Sequence, residues 1–394
     1  MSAPALRFKE FDGDWKSFSL LDLSSDKTLN NGVFNDQNKV GKGYKLINVL
    51  DMYIDRDIDE SRLSLLDLSK QEFERNKVKY GDIFFTRSSL VKEGIAYSNV
   101  YLGSSNDITY DGHLIKLSPN LEQINSIFLN YGLKTSKVRK QLIQGGKTAT
   151  MTTIGQKEIA STKIDVPFLQ EQTKIASFLS AIDEKISQLT QKHQLLSQYK
   201  QGMMQKLFSQ QIRFKADDGS EFGEWEGKEL HQIFQIKAGG DIEKSSVSEV
   251  RTSEFSYPIF ANSDKNKGFY GWANKFKYKE AVTVTGRGNL GIAVARNEPF
   301  YPIVRLLVLL PLVKQNLKFF EEQINLLDIV SESTGVPQLT APQLSKYKVN
   351  VPSLEEQTKI ANFLSSIDQK IEVVAQQIEQ AKQWKKGLLQ QMFI

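Results

Sequence analysis

The feature that most constrains this chain is a long segment that occurs twice. Residues 166–209 align without a gap with residues 351–394, and 22 of the 44 aligned positions are identical. Chance does not produce this level of identity over this length, so the chain carries an internal duplication. The period is too long for a solenoid. The repeated unit is therefore a whole domain followed by a helix.

Apolar residues recur in each copy at alternating intervals of four and three. They are Ile175, Leu179, Ile182, Ile186, Leu189, Leu196 and Met203 in the first copy, and Ile360, Leu364, Ile367, Ile371, Val374, Ile378 and Leu388 in the second. This pattern predicts a coiled-coil seam, not the broader apolar stripe of an ordinary surface helix. Lys200 and Lys385 interrupt the seam, where a lysine costs stability but fixes the register. Each helix would be about 60 Å long at 1.5 Å per residue.

The start of each predicted helix carries local signals. Pro167 and Pro352 stand just before the helices, where a missing backbone N–H costs little. Ser353 and Glu356 have the spacing of a capping box, in which two side chains satisfy free backbone N–H groups. We therefore expect each helix to begin just after its proline.

The order of the segments favours antiparallel pairing of the two helices. The first helix leads from one domain to the next, and the second leads from that domain to residue 394. The predicted fold is α+β, with two similar globular domains separated by a long antiparallel two-helix coiled coil in a pseudo-two-fold, circular arrangement. The predicted segments are residues 1–165 (first domain), 166–210 (first helix), 211–350 (second domain) and 351–394 (second helix). Two similar domains held apart by a rigid spacer would suit two half-sites on a DNA duplex.

Composition excludes several classes of protein. Cysteine is absent, so the chain has neither a disulfide framework nor a thiolate site. No run of about 18 apolar residues occurs, which favours a soluble cytoplasmic protein without a membrane partner. The formal net charge is only +5. Net charge alone therefore does not indicate nucleic-acid binding, and any basic footprint must come from local clustering.

Short apolar segments bounded by turn residues indicate a mixed fold in both domains. The first domain has predicted strands at residues 44–50, 82–87, 94–97 and 113–117, and a predicted helix at residues 123–140. The second domain repeats this layout with little identity, so that residues 282–287 take the place of the strand ending at Arg87. The frame is shared while the loops differ. Because loops carry specificity on a common frame, two domains with the same frame and different loops would suit two different recognition surfaces.

Motifs that would indicate catalysis are weak or absent. Gly286, Gly288 and Gly291 match the GxGxxG pattern, but a dinucleotide site needs a helix after the last glycine. Residues 292–295 read as a strand, so a glycine-rich hairpin turn is the better interpretation. The three histidines lie far apart in sequence, and no metal, nucleotide or nucleophile motif stands out. The sequence therefore predicts a protein that is not itself an enzyme and binds neither metal nor cofactor.

Candidate DNA contacts must come from polar residues in loops between strands. They are Thr86, Arg87, Ser88, Ser89, Lys92, Lys147 and Thr148 in the first domain, and Asn262, Lys265, Asn266, Lys267, Arg287, Asn289 and Thr334 in the second. Arginine and lysine can read guanine, asparagine can read adenine, and serine, threonine and lysine can hold phosphates. The alternative interpretation is that these are solvated turn residues.

The chain resembles the specificity subunit of type I restriction-modification enzymes over essentially its whole length. The pattern Val-Pro-x-Leu-x-Glu-Gln opens both long helices, at Val166 and at Val351. The domain openings match as well, with Arg7, Phe8, Lys9 and Trp15 in the first domain and Arg213, Phe214, Lys215 and Trp225 in the second. Gly81-Asp82-Ile83 before Arg87 also fits, whereas the second domain has Ala281-Val282-Thr283 at that place.

The resemblance implies a role in a larger complex. Each globular domain would be a target recognition domain that reads one half of a split double-stranded DNA sequence. The helices would set the spacer between the halves and dock two methyltransferase (M) subunits that methylate adenine at N6. Restriction (R) motor-nuclease subunits would join them, in the cytoplasm of a bacterium or archaeon. S-adenosylmethionine, ATP and Mg would then be bound by these partner subunits and not by this chain.

Two other classes of function compete with this interpretation. The chain could itself be a methyltransferase or nuclease, although it lacks an S-adenosylmethionine glycine loop ahead of an Asn-Pro-Pro-Tyr type motif. It could also be a scaffold that joins two protein-binding domains through a coiled coil. Methyl transfer by the purified chain would favour the first alternative. Failure to bind any duplex with methyltransferase partners present would favour the second.

Overall fold

The computed structural model describes residues 4–54, 56–329 and 338–393. The chain divides into two compact units, one made of Met1–Thr190 with Gln376–Ile394 and the other of Gln191–Ala375. We call these unit 1 and unit 2. Each unit has its own mixed core and includes part of both long helices, Leu169–Phe208 and Leu354–Met392. Among the described helices, none is long and apolar enough to cross a membrane.

Unit 1 is built mainly from short antiparallel strands. Its strands are β1 (Lys16–Ser19), β2 (Ser24–Asn31), β3 (Val40–Ile47), β4 (Ser64–Leu66), β5 (Ile83–Thr86), β6 (Ser88–Ser89), β7 (Ser98–Val100), β8 (Ile108–Tyr110), β9 (Leu114–Pro119), β10 (Lys147–Thr148), β11 (Thr152–Thr153) and β12 (Lys163–Val166). Its helices are α1 (Lys70–Arg75), α2 (Ser126–Leu133), α3 (Ser136–Gly145), α4 (Gln156–Ala160) and the first part of α5 (Leu169–Phe208). The sheets have the orders β2-β9-β5-β7, β4-β3-β8, β10-β11-β6 and β1-β12.

Unit 2 follows a similar plan with fewer strands. Its strands are β13 (Glu226–Glu229), β14 (Phe234–Ala238), β15 (Val247–Ser248), β16 (Tyr257–Phe260), β17 (Phe269–Ala273), β18 (Ala281–Thr285), β19 (Ala293–Arg296), β20 (Tyr301–Pro302), β21 (Leu306–Pro311) and β22 (Lys348–Val351). Its helices are α6 (Leu230–Ile233), α7 (Leu317–Asn325), α8 (Ala341–Leu344) and the first part of α9 (Leu354–Met392). The sheets have the orders β14-β21-β18-β19, β15-β17-β16-β20 and β13-β22.

The four-stranded antiparallel sheet of each unit is its central frame. In unit 1 the order is β2-β9-β5-β7, and in unit 2 it is β14-β21-β18-β19, so β5 corresponds to β18 and β9 to β21. Apart from Ala281, the residues of the inner strands β5 and β18 are β-branched or aromatic, and every residue of both strands is buried. Such residues fit a strand that is covered on both faces. The frame is therefore fixed by the same local pattern in both units.

Two local predictions in unit 1 are wrong. Residues 94–97 do not form a strand, because a 3-10 turn covers Lys92–Gly94 and Ala96 has a left-handed φ of 49°, so the strand begins at Ser98. The predicted helix at residues 123–140 is two helices, α2 and α3, separated by Lys134 and Thr135. The extended φ and ψ of Thr135 stop the α-helical backbone between them.

The glycine-rich segment of unit 2 confirms the hairpin interpretation. Strand β18 ends at Thr285, and β19 returns antiparallel from Ala293, with Val284 opposite Ala293. The glycines therefore lie in the connection between two paired strands. This arrangement lacks the helix N-terminus that a dinucleotide phosphate would need.

The long helices pair antiparallel within each unit. In unit 1, Ile175 near the start of α5 shares a core with Leu388 near the end of α9. In unit 2, Leu207 near the end of α5 shares a core with Ile360 near the start of α9. The prediction of an α+β fold with two similar globular parts and two long antiparallel helices is confirmed.

The predicted seam residues are all buried or half-buried. The half-buried ones are Ile186, Leu196, Met203 and Ile371. Met204 is the buried methionine at that point of α5, not Met203. An α-helix has 3.6 residues per turn, so a strict seven-residue repeat drifts by about 20° per heptad. This drift accounts for the change of buried face near the end of α5.

Lysines in the seam are neutralised by acidic partners. Lys200 lies 2.7 Å from Asp368 and 2.9 Å from Glu322, all within unit 2. Burial alone would raise the pKa of Asp368, but the hydrogen bond from Lys200 and the nearby lysine charges hold it below its usual value. In unit 1, Lys385 lies 2.5 Å from Asp183 in the same way. Residues 183 and 368 are matching positions of the repeat, as are 200 and 385.

An ion pair between a partly exposed arginine and a buried glutamate ties the opening of each domain to the start of a long helix. In unit 1, Arg7 donates from Nε and Nη2 to the two carboxylate oxygens of Glu171, both at 2.7 Å. In unit 2, Arg213 binds Glu356 in the same bidentate way, at 3.0 and 2.8 Å. Each arginine also donates to a backbone carbonyl of the loop that precedes the domain's tryptophan. We call this arrangement the arginine clamp.

The glutamine that follows the clamp glutamate has a second structural role. Gln172 donates to the Pro167 carbonyl at 2.9 Å, and its side-chain oxygen accepts from the Asn125 N–H at 2.8 Å. Gln357 does the same with Pro352 and Asn316, both at 3.0 Å. Asn125 and Asn316 are the N-caps of α2 and α7. The Glu-Gln pair of the repeated motif therefore joins three chain segments in each unit.

The predicted capping box at the second long helix is only half correct. The Ser353 hydroxyl accepts from the Glu356 N–H at 3.3 Å. The Glu356 carboxylate, however, binds Arg213 and the Trp225 indole N–H instead of the helix start. A charge-assisted bidentate pair is stronger than a bond to one backbone N–H, so the clamp takes the carboxylate.

Removing the Glu356 carboxylate tests the clamp. Glu356→Ala removes the acceptor of the Trp225 N–H and leaves the Arg213 guanidinium with backbone carbonyls only. We expect it to lower the free energy of unfolding by about 2–4 kcal/mol, because a broken buried pair leaves one charge uncompensated. Urea unfolding of the whole chain measures this change. Glu355→Ala is the matched control, because Glu355 is exposed and carries the same charge. Equal effects of the two substitutions would contradict the clamp.

Candidate nucleic-acid interface

In unit 1 a small sheet collects most of the predicted DNA contacts. Strand β6 pairs with β11, which places Ser88 opposite Thr153 and Ser89 opposite Thr152. Strand β11 pairs in turn with β10, which carries Lys147 and Thr148. The sheet lies directly after the end of β5. Four predicted contacts from distant parts of the sequence therefore share one small sheet.

A concave surface adjoins this small sheet. It has a volume of about 480 Å³, and Arg87, Ser88, His113, Lys147 and Thr153 are among its lining residues. The Arg87 side chain is exposed and makes no hydrogen bond or ion pair with any residue in the described ranges. The Lys147 ammonium lies 4.0 Å from Glu158 and is mostly exposed. The surface thus offers cationic and hydroxyl groups, which suit phosphates and base edges.

Four predicted contacts of unit 1 do not line this surface, and two of them, Ser89 and Thr148, lie on the small sheet itself. Thr86 is fully buried, and its hydroxyl accepts a hydrogen bond from the Tyr97 N–H at 2.9 Å. No part of this side chain reaches solvent, which leaves Thr86 without an exposed group for DNA, and its contact stays a prediction. Lys92 is exposed in the 3-10 turn Lys92–Gly94, outside the small sheet.

In unit 2 two loops that carry predicted contacts are held side by side. The Asn262 side-chain oxygen accepts from the N–H groups of Gly286 and Arg287, at 2.6 and 3.1 Å. Its amide donates to the Arg287 carbonyl at 2.7 Å. Asn289 donates to the Asp264 carboxylate at 2.5 Å. Both asparagines therefore hold the loops together, which leaves Asn262 little capacity to read a base.

The remaining loop contacts of unit 2 depend on an unusual backbone. Lys265, Asn266 and Lys267 lie in the turn Lys265–Gly268, where Asn266 and Lys267 have left-handed φ values of 47° and 50°. Such residues cost of order 1–3 kcal/mol each and persist only where the surroundings hold them. All three side chains are exposed. The turn thus presents two lysines to solvent in a fixed conformation.

Arg296 is the buried group that holds this turn. Its guanidinium donates to the Lys267 carbonyl and, through Nε, to the Thr283 hydroxyl. It also stacks on the Phe260 ring, 3.5 Å from the centroid. Burial lowers the pKa of Arg296 to about 10, which still leaves it charged at neutral pH. No local pattern in the sequence indicates this role, since the partners of Arg296 lie on other strands and in a turn.

Strand register shows that Arg87 and Arg287 are not matching residues. Thr86 pairs with Leu114 at the start of β9, and Thr285 pairs with Leu306 at the start of β21. The residue that matches Arg87 is therefore Gly286, and Arg287 lies one position further along. A Cβ at Gly286 would lie 2.7 Å from the Arg305 carbonyl oxygen, so no arginine fits there.

The predicted contact at Thr334 lies outside the described residues. Within the described ranges, no group of three or more His, Asp or Glu side chains stands close enough to hold a metal ion. His113, Thr153, Arg305 and Gln338 lie at the same strand ends but were not predicted. Pairing between distant segments brings these residues to the strand ends, and such pairing produces no periodic pattern in the sequence.

Comparison with known proteins identifies the family of this chain. The family model described as the type I restriction modification DNA specificity domain matches residues 13–198 and 223–383. The chain belongs to this family. The resemblance to type I specificity subunits is thereby confirmed, and both matched stretches of the specificity domain contain a central frame with its adjoining loops.

Curated members of the specificity family are similar along the chain. The putative type I restriction enzyme MjaX specificity subunit of Methanocaldococcus jannaschii is 26% identical over 96% of this chain and 93% of its own length. The putative type I specificity subunit S.MpnORF507P of Mycoplasma pneumoniae is 29% identical, over 62% of this chain and 65% of its own length.

Solved structures of type I systems share the fold. The S subunit from M. genitalium matches with a TM-score of 0.64 and 17% identity, over 100% of this chain and 99% of its own. A chain from a study of complex assembly and conformational transition of the type I R-M system matches with a TM-score of 0.56 and 14% identity, over 97% and 98%. At this identity, the likeness shows the fold alone.

The role of Asn262 can be measured by hydrogen exchange. Asn262→Ala removes three hydrogen bonds between the two loops of unit 2. We expect exchange of the Gly286 and Arg287 amides to become roughly tenfold to a hundredfold faster, because each bond contributes about 1 kcal/mol. Asn274→Ala is the matched control, because Asn274 has an exposed side chain in the same unit. Unchanged exchange at both amides would show that Asn262 does not hold the loops.

Proposed function

We propose that this chain is the DNA-recognition subunit of a type I restriction-modification complex, with each unit reading one half of a split target. The observation that supports this most directly is the repeated central frame. Each frame ends in a group of polar and cationic side chains, and these groups differ between the units. Equal frames with unequal loops fit two half-sites of different sequence.

The side chains at these loops have the chemistry of DNA readers. Arg87 and Arg287 are exposed, and an arginine fork matches the O6 and N7 acceptors of guanine. Lys147, Lys265 and Lys267 can neutralise phosphates. With 51 basic and 46 acidic residues, the chain has little excess positive charge to bind DNA without regard to sequence. Specific contacts and partner subunits would then have to supply much of the affinity.

The long helices would fix the distance between the half-sites and dock two methyltransferase subunits. Tyr199 on α5 and Trp384 on α9 occupy matching positions of the repeat. Their side chains are 52% and 55% exposed. Aromatic residues are enriched where proteins bind each other. Two matched exposed aromatics therefore fit two copies of one partner.

Catalysis would belong to the partner subunits. In this proposal the methyltransferase subunits bind S-adenosylmethionine, and the motor-nuclease subunits bind ATP and Mg. This chain would recognise the DNA sequence and set the geometry of the assembly. The alternative that the chain is itself a methyltransferase or nuclease predicts methyl transfer or cleavage by the purified chain. The alternative of a protein scaffold predicts no duplex binding even with the partners present.

Adenine methylation across a genome tests the proposal in one experiment. Cells that supply the methyltransferase subunit are compared with and without this chain. We expect a split motif to become methylated only when the chain is present. Exchanging residues 1–165 for the corresponding domain of another specificity subunit should then change one half of the motif and leave the other half intact. Changes in both halves would show that the two units do not read separately.

The matched aromatics give a separate test of partner docking. We expect Tyr199→Ala and Trp384→Ala together to weaken binding of the methyltransferase subunits at least tenfold, since aromatic residues at interface centres often contribute about 2 kcal/mol or more. Sedimentation or light scattering of the purified mixture measures the stoichiometry and affinity. Gln198→Ala with Gln383→Ala is the matched control, because both glutamines are exposed neighbours of the aromatics. An unchanged affinity would move the docking surface elsewhere.

A further inference from the structure

Corresponding chain segments meet at the same end of the central frame in both units. Thr86 pairs with Leu114 and Thr285 with Leu306, so His113 and Arg305 each precede the matching strand of the frame. Each lies one residue before the start of an inner strand, which is Leu114 in β9 and Leu306 in β21. His113 and Arg305 are therefore equivalent positions, although nothing in the sequence aligns them.

In both units, the end of the inner strand also contacts a third chain segment through a backbone hydrogen bond. The Arg87 carbonyl accepts from the Ile154 N–H at 3.0 Å, and the Gly286 carbonyl accepts from the Leu339 N–H at 2.9 Å. One residue before these amides, Thr153 pairs with Ser88 in unit 1. In unit 2, Gln338 pairs with Arg287. Each unit thus has three matched positions at one edge.

We call these positions the reading edge. They are Ser88, Thr153 and His113 in unit 1, and Arg287, Gln338 and Arg305 in unit 2. In unit 1 all three residues line the same concave surface of about 480 Å³. In unit 2 the Arg305 Nη1 donates to the Gln338 side-chain oxygen at 3.2 Å. The three positions are therefore close together in both units.

The Asp111 carboxylate orients the side chain of His113. Both its backbone N–H and its Nδ1 lie 2.7 Å from the Asp111 carboxylate. Asp111 is buried and its other carboxylate oxygen accepts from Asn35 at 3.0 Å. An ionised Asp111 favours the tautomer with a proton on Nδ1, which leaves Nε2 as an acceptor. The exposed ring therefore presents one defined group to a ligand.

Arg305 is held by its backbone as well as by its partner. Its φ is 70°, in the left-handed region that non-glycine residues seldom adopt. Gly286 allows the close approach, since a Cβ there would lie 2.7 Å from the Arg305 carbonyl and 2.9 Å from the Leu339 carbonyl. The hydrogen bond to Gln338 then orients the guanidinium. Strain kept at an exposed position without a packing role suggests a functional one.

We infer that the reading edge makes the direct base contacts in each unit, and this rests on the proposed function. In unit 2, Arg287 and Arg305 match guanine, while Gln338 matches adenine in the major groove. In unit 1, Ser88 and Thr153 have shorter side chains than their counterparts in unit 2. The His113 Nε2 accepts from an exocyclic amino group of adenine or cytosine. Arg87 and Lys147 flank that edge. The two units therefore read different chemistry through equivalent positions.

Substitutions at the reading edge test this inference in the assembled complex. The wild-type chain with its methyltransferase partner first gives the split motif. Arg305→Ala should then relax a guanine position in the half read by unit 2, with discrimination falling about tenfold to a hundredfold. Arg305→Lys keeps the charge but loses the two-pronged donor, so it should relax the same position while binding to unrelated DNA stays unchanged. His113→Ala should relax a position in the other half only.

Lys346→Ala is the matched control for the loss of one positive charge. Lys346 lies beside α6, because the neighbouring Ser345 carbonyl accepts from the His231 N–H. The Ile233 carbonyl of α6 accepts from Leu312, at the end of β21 opposite to Arg305. We expect this variant to keep the wild-type motif.

Three outcomes separate the possibilities. A uniform loss of affinity for all sequences in Arg305→Ala would make Arg305 a phosphate contact and overturn the inference. An unchanged motif in both Arg305→Ala and His113→Ala would also overturn it. A wild-type complex that yields no split motif would instead reject the proposed function.

Discussion

The arginine clamp is the interaction on which the rest of each unit depends. A buried glutamate in the first turn of a long helix binds an arginine at the domain opening, and the next glutamine binds the segment before α2 or α7. A buried ion pair adds little net stability, because desolvation offsets much of the attraction. Its main effect here is to fix geometry, since bidentate pairing permits only one orientation of helix and domain.

The recognition loops are held by buried or bonded polar groups that are distinct from the candidate readers. Asn262 and Arg296 shape the loops of unit 2, and Asp111 orients His113 in unit 1. The candidate readers are exposed, except for the half-buried Ser88, and they lie outside the buried inner strands of the frame. This separation explains how two units with the same central sheet can differ in the residues at their edges, because packing constrains only the inner strands.

Local patterns predicted much of the frame but failed where a tertiary contact overrides them. The apolar repeats identified both long helices and the inner strands. The segment at residues 94–97 is also apolar, yet Ala96 takes a left-handed backbone and the chain pairs only from Ser98 onward. The sequence layout also placed residues 282–287 where the strand ending at Arg87 stands, whereas strand register matches Arg87 with Gly286. A shift of one residue is invisible to composition but reverses the face of a side chain.

The sequence by itself determined the duplication, the antiparallel helices and the motif whose Glu and Gln residues hold each domain to its helix. These features follow from periodicity and from residues that recur at one fixed offset. Only the tertiary structure decided which loop residues stand together, such as Ser88 with Thr153 and Arg305 with Gln338. The physical reason is that strand pairing joins segments tens of residues apart, and its register depends on backbone hydrogen bonds across the whole sheet. Those bonds are made by every residue alike, so the sequence does not mark them.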